Sequence, residues 1–410
     1  MSGTPLTPHE IKRTKDAWKE SGYNQAQAAV LLDISRSTFQ HRMQILKLKA
    51  PAVKDLPDID RRAAQRAADE LRDLRATIRR QARELNDADD LRATVFGLAK
   101  QDTTPPDWLP KVNDCCADTQ VPILDFSDFH LGEYVNAEEL DGINAFNKYI
   151  AAHRYRHMIE KTISLARNFM GTTKPNYPGI IYLRNGDLVA GDIHDLKETN
   201  DLKAQPAVRE LVKMERWGIQ QLQQEFGHVW TISTPGNHGR DTVQPHSKEN
   251  AARNFDTLSA YMLEMAFESN EDCTFWTPES GDALFNVLGY TFLATHGDRI
   301  GTGGGRGFVG TAAPIARGAK KLTEYYAALG TTLDYILLGH FHTRMEIDNT
   351  FANGCLCGYT QYGKQFRFIP VPPEQWLLFV NAKHGVTARW AMQFASRPRI
   401  IKPVPFEPLN

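Results

Sequence analysis

The chain has 410 residues, 41% hydrophobic and 24% charged, with a formal net charge of −1. That length allows two or three domains, and the proportions are those of an ordinary globular protein. No run of eighteen apolar residues occurs, which argues against a membrane span, and the opening MSGTPLTPHEIKR lacks the apolar core of a secretory signal. Cys115, Cys116, Cys273, Cys355 and Cys357 show no C-x-x-C spacing. A disulfide framework or zinc knuckle is therefore not expected, and a reducing cytoplasm is. The near-zero charge hides a split: residues 1–54 hold nine Lys or Arg against four acids, and residues 55–97 nine Arg against ten acids. One basic end beside an acidic body suggests an end that meets a polyanion, although chance gives such a split too.

In chain order, Pro8 to Ser21 reads as a helix ending at Gly22. Asn24 is placed to cap NQAQAAVLL, Asp33-Ile34 to turn, and Ser35 to cap a third helix with Phe39, Met43 and Leu46 on one side. Two short helices joined by a tight turn are the parts of a helix-turn-helix. The stretch NQAQAAVLLDISRSTFQHRMQIL resembles the Fis-like and resolvase-like helix-turn-helix family, with an Ala pair packing the helices. It departs from that pattern in having Asp33 where Gly is usual; Asp tolerates the left-handed conformation at some cost. The resemblance implies that Arg36, Ser37, Thr38, Gln40, His41 and Arg42 face DNA. The competing reading is a helical bundle used for protein contacts.

Ala64, Ala67, Leu71, Leu74, Ile78, Gln81, Leu85 and Ala88 step alternately by three and four, a heptad seam with one polar slot. Such a helix either pairs two chains over residues 60–90, making a homodimer with two reading heads, or folds back on its own body. Residues 101–118, with three prolines, read as linker. From Val121 onward, apolar strands alternate with helical stretches, the pattern of an α/β domain.

Five polar motifs follow apolar strands there. Ser127-Asp128-Phe129-His130 follows VPILDF, and Asn185-Gly186-Asp187 follows GIIYL. Gly236-Asn237-His238-Gly239 follows HVWTIS, His296-Gly297-Asp298 follows YTFLA, and Gly339-His340-Phe341-His342 follows DYILL. Strand tips are where an α/β sheet gathers its loops into a site. Carboxylate, imidazole and amide oxygen suit hard or borderline divalent ions. D-x-H and H-x-H place two ligands on one side of an extended chain. Glycines before Asp187, Asn237 and His340 let the chain turn sharply.

Taken in that order, the motifs are similar to the signature of the calcineurin-like metallophosphoesterases, over roughly residues 120–345. SDFHLG resembles the SbcD-like branch of DNA-repair nucleases, and NGCLCGYTQYGKQFRF a segment of bacteriophage DNA exonucleases. The resemblance implies a four-layer metallophosphoesterase β-sandwich flanked by helices. The expected organisation is thus a helix-turn-helix domain (1–54), a coiled-coil-like helix (55–98), a linker (99–119), a catalytic α/β domain (120–400) and a tail (401–410).

It also implies two divalent ions, Mn²⁺ first by family habit, with Fe, Zn or Mg as options. Asp128, His130, Asp187 and His342 would hold one, and Asp187, Asn237, His296 and His340 the other. His238 would be the catalytic imidazole; the alternative is a structural histidine behind the ligands. Two ions about 3.5–4 Å apart clamp a phosphoryl oxygen and acidify a shared water. Departures exist: Gly239 stands where many relatives carry an acid, and Ala190 where many phosphatases carry an Asp.

Asp192, His194 and Asp298 are candidate supports behind the ligands, the first two for orienting His238. Arg184, Arg240 and Arg306 are candidate phosphate contacts, or ordinary surface arginines. GTGGGRGFVG reads as an active-site flap or a plain hinge. Tyr325, Tyr326, Tyr359 and Tyr362 could stack on bases, with core packing favoured. EQWLLFV and TARWAMQF read as closing strands. The expected function is a two-metal DNA phosphodiesterase delivered by its helix-turn-helix. The alternatives are a phosphatase or small-nucleotide phosphodiesterase, and a non-catalytic DNA-binding factor.

Overall fold

The computed structural model describes residues 6–49, 105–112, 115, 118–170, 175–193, 196–242, 244–300 and 311–394. The heptad seam, His194, the 301–310 segment with Arg306 and the tail lie outside them. The chain divides into two units, Met1–Gly97 and Leu98–Asn410.

In the first unit, α1 spans Pro8–Glu20, α2 Gln25–Leu31 and α3 Arg36–Ile45. Each start has a chemical cause. Thr7 and Glu10 form a reciprocal capping box, Asn24 Oδ1 accepts from the Ala26 and Gln27 amides, and Ser35 Oγ accepts from the Thr38 amide. Asp33 sits left-handed at φ 54°, as its place in the turn requires. Trp18, Ala28, Ala29 and Phe39 form the small core, and the two alanines let α2 approach its neighbours. Burial of Phe39 alone is worth roughly 1.5–3 kcal/mol.

The second unit is α/β with two mixed sheets. The strands are β1 Val121–Phe126, β2 Ile180–Asn185, β3 Val229–Thr234, β4 Cys273–Trp276, β5 Ala283–Val287 and β6 Tyr290–Thr295. They continue with β7 Tyr335–Leu338, β8 Met345–Ile347, β9 Thr350–Ala352, β10 Glu374–Asn381 and β11 Gly385–Gln393. The helices are α4 Lys148–Asn168, α5 Leu196–Thr199, α6 Ala204–Phe226, α7 Phe255–Ala266, α8 Ala312–Ala328 and α9 Gln361–Gln365. One sheet runs β11-β10-β1-β2-β3-β4, with β1 to β4 parallel. The other runs β5-β6-β7-β9-β8, with β6 and β7 parallel. The two closing strands expected from EQWLLFV and TARWAMQF are β10 and β11.

Side-chain parity explains the packing. Ile123, Ile181, Leu183, Trp230 and Ile232 point toward Phe285, Phe292, Leu337 and Phe351 of the other sheet. Leu124, Phe126, Ile180 and Tyr182 point the other way, onto α4 and α6. Ile315 of α8 packs with Ile336 and Leu338 on the second sheet's far side. No helix among the described residues is long and apolar enough to cross a membrane.

Parity also corrects one expectation. Arg184 is not a phosphate contact: it points with Tyr182 into the helix layer and is fully buried. Its Nε and Nη2 donate to Glu215 Oε1 and Oε2 at 2.7 and 2.9 Å, and it also reaches Ser233 and Ser259. Glu215 is the one acid on the buried face of α6. Removing one side of such a pair strands the other charge, which costs about 3–5 kcal/mol. Glu215→Ala is therefore expected to lower unfolding stability by that order in urea titration. A loss below about 1 kcal/mol would show that the pair does not hold the layers together.

Candidate metal centre

The five polar motifs leave the tips of β1, β2 and β3 in one sheet and of β6 and β7 in the other. The expected convergence occurs, but across the seam between two sheets. Three groups of donor atoms lie within 4.8 Å of one another: Asp128, His130 and His342; Asp187, His296 and His340; and His130, Asp187 and His238. Asn237 joins the second group, its Oδ1 lying 2.9 Å from His340 Nδ1.

The local backbone differs from the extended chain expected for D-x-H and H-x-H. Asp128, His130, Asp187, His340 and His342 are all left-handed, with φ between 49° and 67°. Each such non-glycine conformation costs roughly 1–2 kcal/mol and persists only where surroundings enforce it. Here the Asp128, His130 and Leu131 amides donate to the Gly186, Asp187 and Leu188 carbonyls, and the His340 amide donates to the Asp128 carboxylate. Gly186 is left-handed at φ 81°, as a sharp turn before Asp187 requires, but the other two glycines act differently from expectation. Gly236 and Gly339 are not left-handed; a Cβ there would collide with Asp187 Oδ1 and Asp128 Oδ2 respectively. They provide room for the carboxylates rather than a turn.

Buried donors without hydrogen-bond partners test whether cations fit. Asp187 Oδ2 and His296 Nε2 are 3.0 Å apart, yet neither has an aligned hydrogen bond; His130 Nδ1 also lacks one. His130 Nε2 and His342 Nε2 face each other at 3.0 Å. Two imidazole nitrogens and two buried carboxylates in so small a volume suit cations. Electrostatics points the same way. Burial, with His238 and His342 nearby, holds His130 well below its ordinary pKa, and burial and His296 push His340 down to about 4. Their lone pairs are thus kept for a ligand. Burial opposes charge on His296, but Asp187, with Asp128 and Asp298, outweighs it and holds that imidazole at about 10, so the carboxylates favour a positive charge at this spot. The His296 Nδ1 hydrogen goes to the Asn185 carbonyl at 2.9 Å, which aims Nε2 at the centre.

His238 lies against the His130 ring, centroids 4.5 Å apart. Its Nδ1 is 3.1 Å from the Ala190 carbonyl, so Nδ1 carries the hydrogen and Nε2 is the free nitrogen. This corrects the support expected from Asp192, which is exposed and instead accepts from the Ala204 amide at the start of α6. Asp298 is half-buried beside Arg299 and acts electrostatically on His296 and His340. Arg240 is nearly buried; its guanidinium donates to the Asn237 and Thr242 carbonyls and braces the loop after Asn237. Tyr359 packs inward, as the favoured core packing expects, whereas Tyr325 and Tyr362 depart from it and are more than half exposed.

Sequence reasoning missed Asp256. Its buried carboxylate accepts from the Asp187, Leu188 and Gly236 amides and so locks two ligand loops together; burial and Asp187 push it up to about 6. Asn254 caps α7 and ties the Gly236 carbonyl. Also missed were Cys355 and Cys357, buried behind His342 with sulfurs 2.9 Å apart. No motif spacing marks any of these residues.

On the first unit, Arg36, Ser37, Thr38, Gln40 and His41 are exposed along α3. Ser37 and Thr38 hydroxyls lie 2.8 and 2.7 Å from Ser35 Oγ. Arg42 departs from the expected reading face: it turns back to Glu10 at 3.0 Å.

Taken together, the chain is an α/β protein with clustered metal-type donors and an N-terminal helix-turn-helix. Residues 15–45 match the family described as "Bacterial regulatory protein, Fis family". The chain thus carries a Fis-family helix-turn-helix, a DNA-binding element. No curated protein matches the chain.

Proposed function

We propose that the protein is a two-metal phosphodiesterase of the calcineurin-like metallophosphoesterase type, acting on DNA to which its helix-turn-helix delivers it. The observation that carries this reading is Asp187, whose carboxylate lies within 4.8 Å both of a His130 nitrogen and of His296 and His340 nitrogens, as a ligand shared by two cations must. The four-layer sandwich belongs to the same proposal, supported by the helix, sheet, sheet and helix packing above. Asp128, His130, Asp187 and His342 would hold one divalent ion, and Asp187, Asn237, His296 and His340 the other. Mn²⁺ is the first choice to test. When bound, such ions polarise the phosphoryl group and activate water. The chain's own residues do the rest. Gly236 and Gly339 keep the carboxylates uncrowded, and Asp256 fixes the Asp187 and Asn237 loops. His238 can take up a proton at its free Nε2 and would then pass it to a leaving oxygen there. On α3, Arg36, Ser37, Thr38, Gln40 and His41 would meet DNA.

The test is incubation with Mn²⁺ and plasmid, linear duplex and single-stranded DNA, against an Asp187→Asn control. Strand cleavage above the control supports the reading; none removes it. Activity on phosphomonoesters alone would favour a phosphatase. Deleting residues 1–100 is expected to weaken duplex binding roughly tenfold or more, and to spare hydrolysis of bis(4-nitrophenyl) phosphate. Phosphate contacts dominate such affinity, so the loss should shrink as salt rises. Loss of the small-diester activity on truncation would contradict the modular reading.

A further inference from the structure

We propose that Cys355 and Cys357 are an oxidative modification site: a peroxide converts the two thiols to a disulfide, and the new bond displaces the Asp128–His342 side of the metal centre. The bond itself is independent of the phosphodiesterase reading; its effect on turnover rests on that reading.

A buried cysteine is ordinarily a small apolar packing residue. This pair has a geometry that packing does not ask for. The sulfurs lie 2.9 Å apart, closer than the about 3.5–4.0 Å at which unbonded carbon atoms pack, although sulfur is the larger atom. A disulfide needs about 2.05 Å, so the gap has to close by less than about 1 Å. The chain bends at Leu356 and Cys357, which turns two side chains of a C-x-C run onto each other. Burial then selects the oxidant. Cys355 is 2% exposed and Cys357 0%. Cys355 lies against His342, whose side chain is 38% exposed at the metal centre. A peroxide little larger than water can reach it from there; a tripeptide disulfide such as glutathione disulfide cannot.

The chemistry balances with the peroxide alone. The Cys355 sulfur attacks one peroxide oxygen: an S–O bond forms, the O–O bond breaks, and the departing hydroxide leaves with the thiol proton as water. The Cys357 sulfur then attacks the Cys355 sulfur, and the hydroxyl leaves with the second thiol proton as another water. The thiols lose two electrons and the peroxide gains them. The consequence follows from what the pair is tied to. The Leu356 amide donates to the Asp128 carbonyl at 3.0 Å, and the Glu374 amide to the Cys355 carbonyl. Arg154 Nη1 donates to the Leu356 and Cys357 carbonyls at 2.9 and 2.7 Å. A disulfide closes a small ring through Leu356, so it turns the peptide that holds Asp128 and draws Cys355 away from His342. Misplacing a reacting group by about 1 Å can cost about 10²-fold in rate.

The test treats the full-length Mn²⁺-loaded protein with hydrogen peroxide or, separately, with glutathione disulfide. After desalting, turnover of bis(4-nitrophenyl) phosphate and bound Mn²⁺ are measured before and after dithiothreitol. Trypsin releases one peptide, Met345–Lys364, that carries both thiols, and its mass reads their state. Peroxide, but not glutathione disulfide, should lighten that peptide by two hydrogens and lower kcat/KM about tenfold or more, both reversed by dithiothreitol. Cys355→Ala and Cys357→Ala, two single variants in case one does not fold, should each keep their own untreated turnover through the peroxide step. A glutathione adduct, or sulfinic acid on either cysteine without the loss of two hydrogens, would overturn the assignment. So would a disulfide that leaves kcat/KM unchanged, or a peroxide loss that persists in a folded alanine variant. If the reduced parent cleaves nothing, the phosphodiesterase reading fails, while peptide mass and bound Mn²⁺ still decide the disulfide and its hold on the centre.

Discussion

Asp187→Asn is expected to abolish turnover and to strip the protein of its paired cations. The substitution is isosteric, and the amide oxygen can still accept from the His238 amide, as Asp187 Oδ1 does at 2.6 Å. The backbone amide of residue 187 stays bonded to Asp256, so the loop keeps its anchor. What changes is charge at the one carboxylate that two donor groups share among the described residues. A neutral amide also cannot bridge two cations as a carboxylate does. Elemental analysis after dialysis should find about two divalent ions per chain in the parent, by the stoichiometry of two-metal sites, and fewer in the variant. An Asp187→Asn variant that retains both ions and full activity on every phosphodiester would remove the shared-ligand reading.

The second large effect is at His238. His238→Ala is expected to lose about 10²–10⁴-fold in kcat, the usual worth of a positioned proton donor, while keeping its metal content. The reason is the ring's orientation: Nδ1 is spent on the Ala190 carbonyl, and Nε2 is left beside His130. If Nε2 protonates the leaving oxygen, the loss must depend on the leaving group. It should be large for a nucleoside alkoxide and much smaller for 4-nitrophenolate, which departs without help. Equal losses on both would make His238 a positioning residue instead. Loss of metal would make it a ligand, as its membership of the third donor group allows.

The sequence made some of this readable and hid the rest for definite reasons. Asn24, Ser35 and Asp33 were legible because capping and left-handed turns are decided by one side chain and its immediate neighbours. The strand-tip motifs were legible because polar residues closing an apolar run have few structural uses. Arg184 was misread because β1 and β2 are buried on both faces, so no alternation shows which residues meet the helices. Asp256 gave no signal, since its work is to accept from backbone amides of residues 20 and about 69 positions away. The left-handed Asp128, His130, Asp187, His340 and His342 were likewise invisible: the strain is held by hydrogen bonds between strand-tip loops far apart in the chain, not by local propensity.

Because Asp128, His130, Asp187 and Asn237 hang from one sheet while His296, His340 and His342 hang from the other, an ion held among them would work as a rivet through both plates. Chelation should then do more than silence a reaction. It would unfasten one rim of the sandwich, and amide exchange along that rim would quicken while the far edge, closed by Val121, Tyr335 and Val386, stays slow.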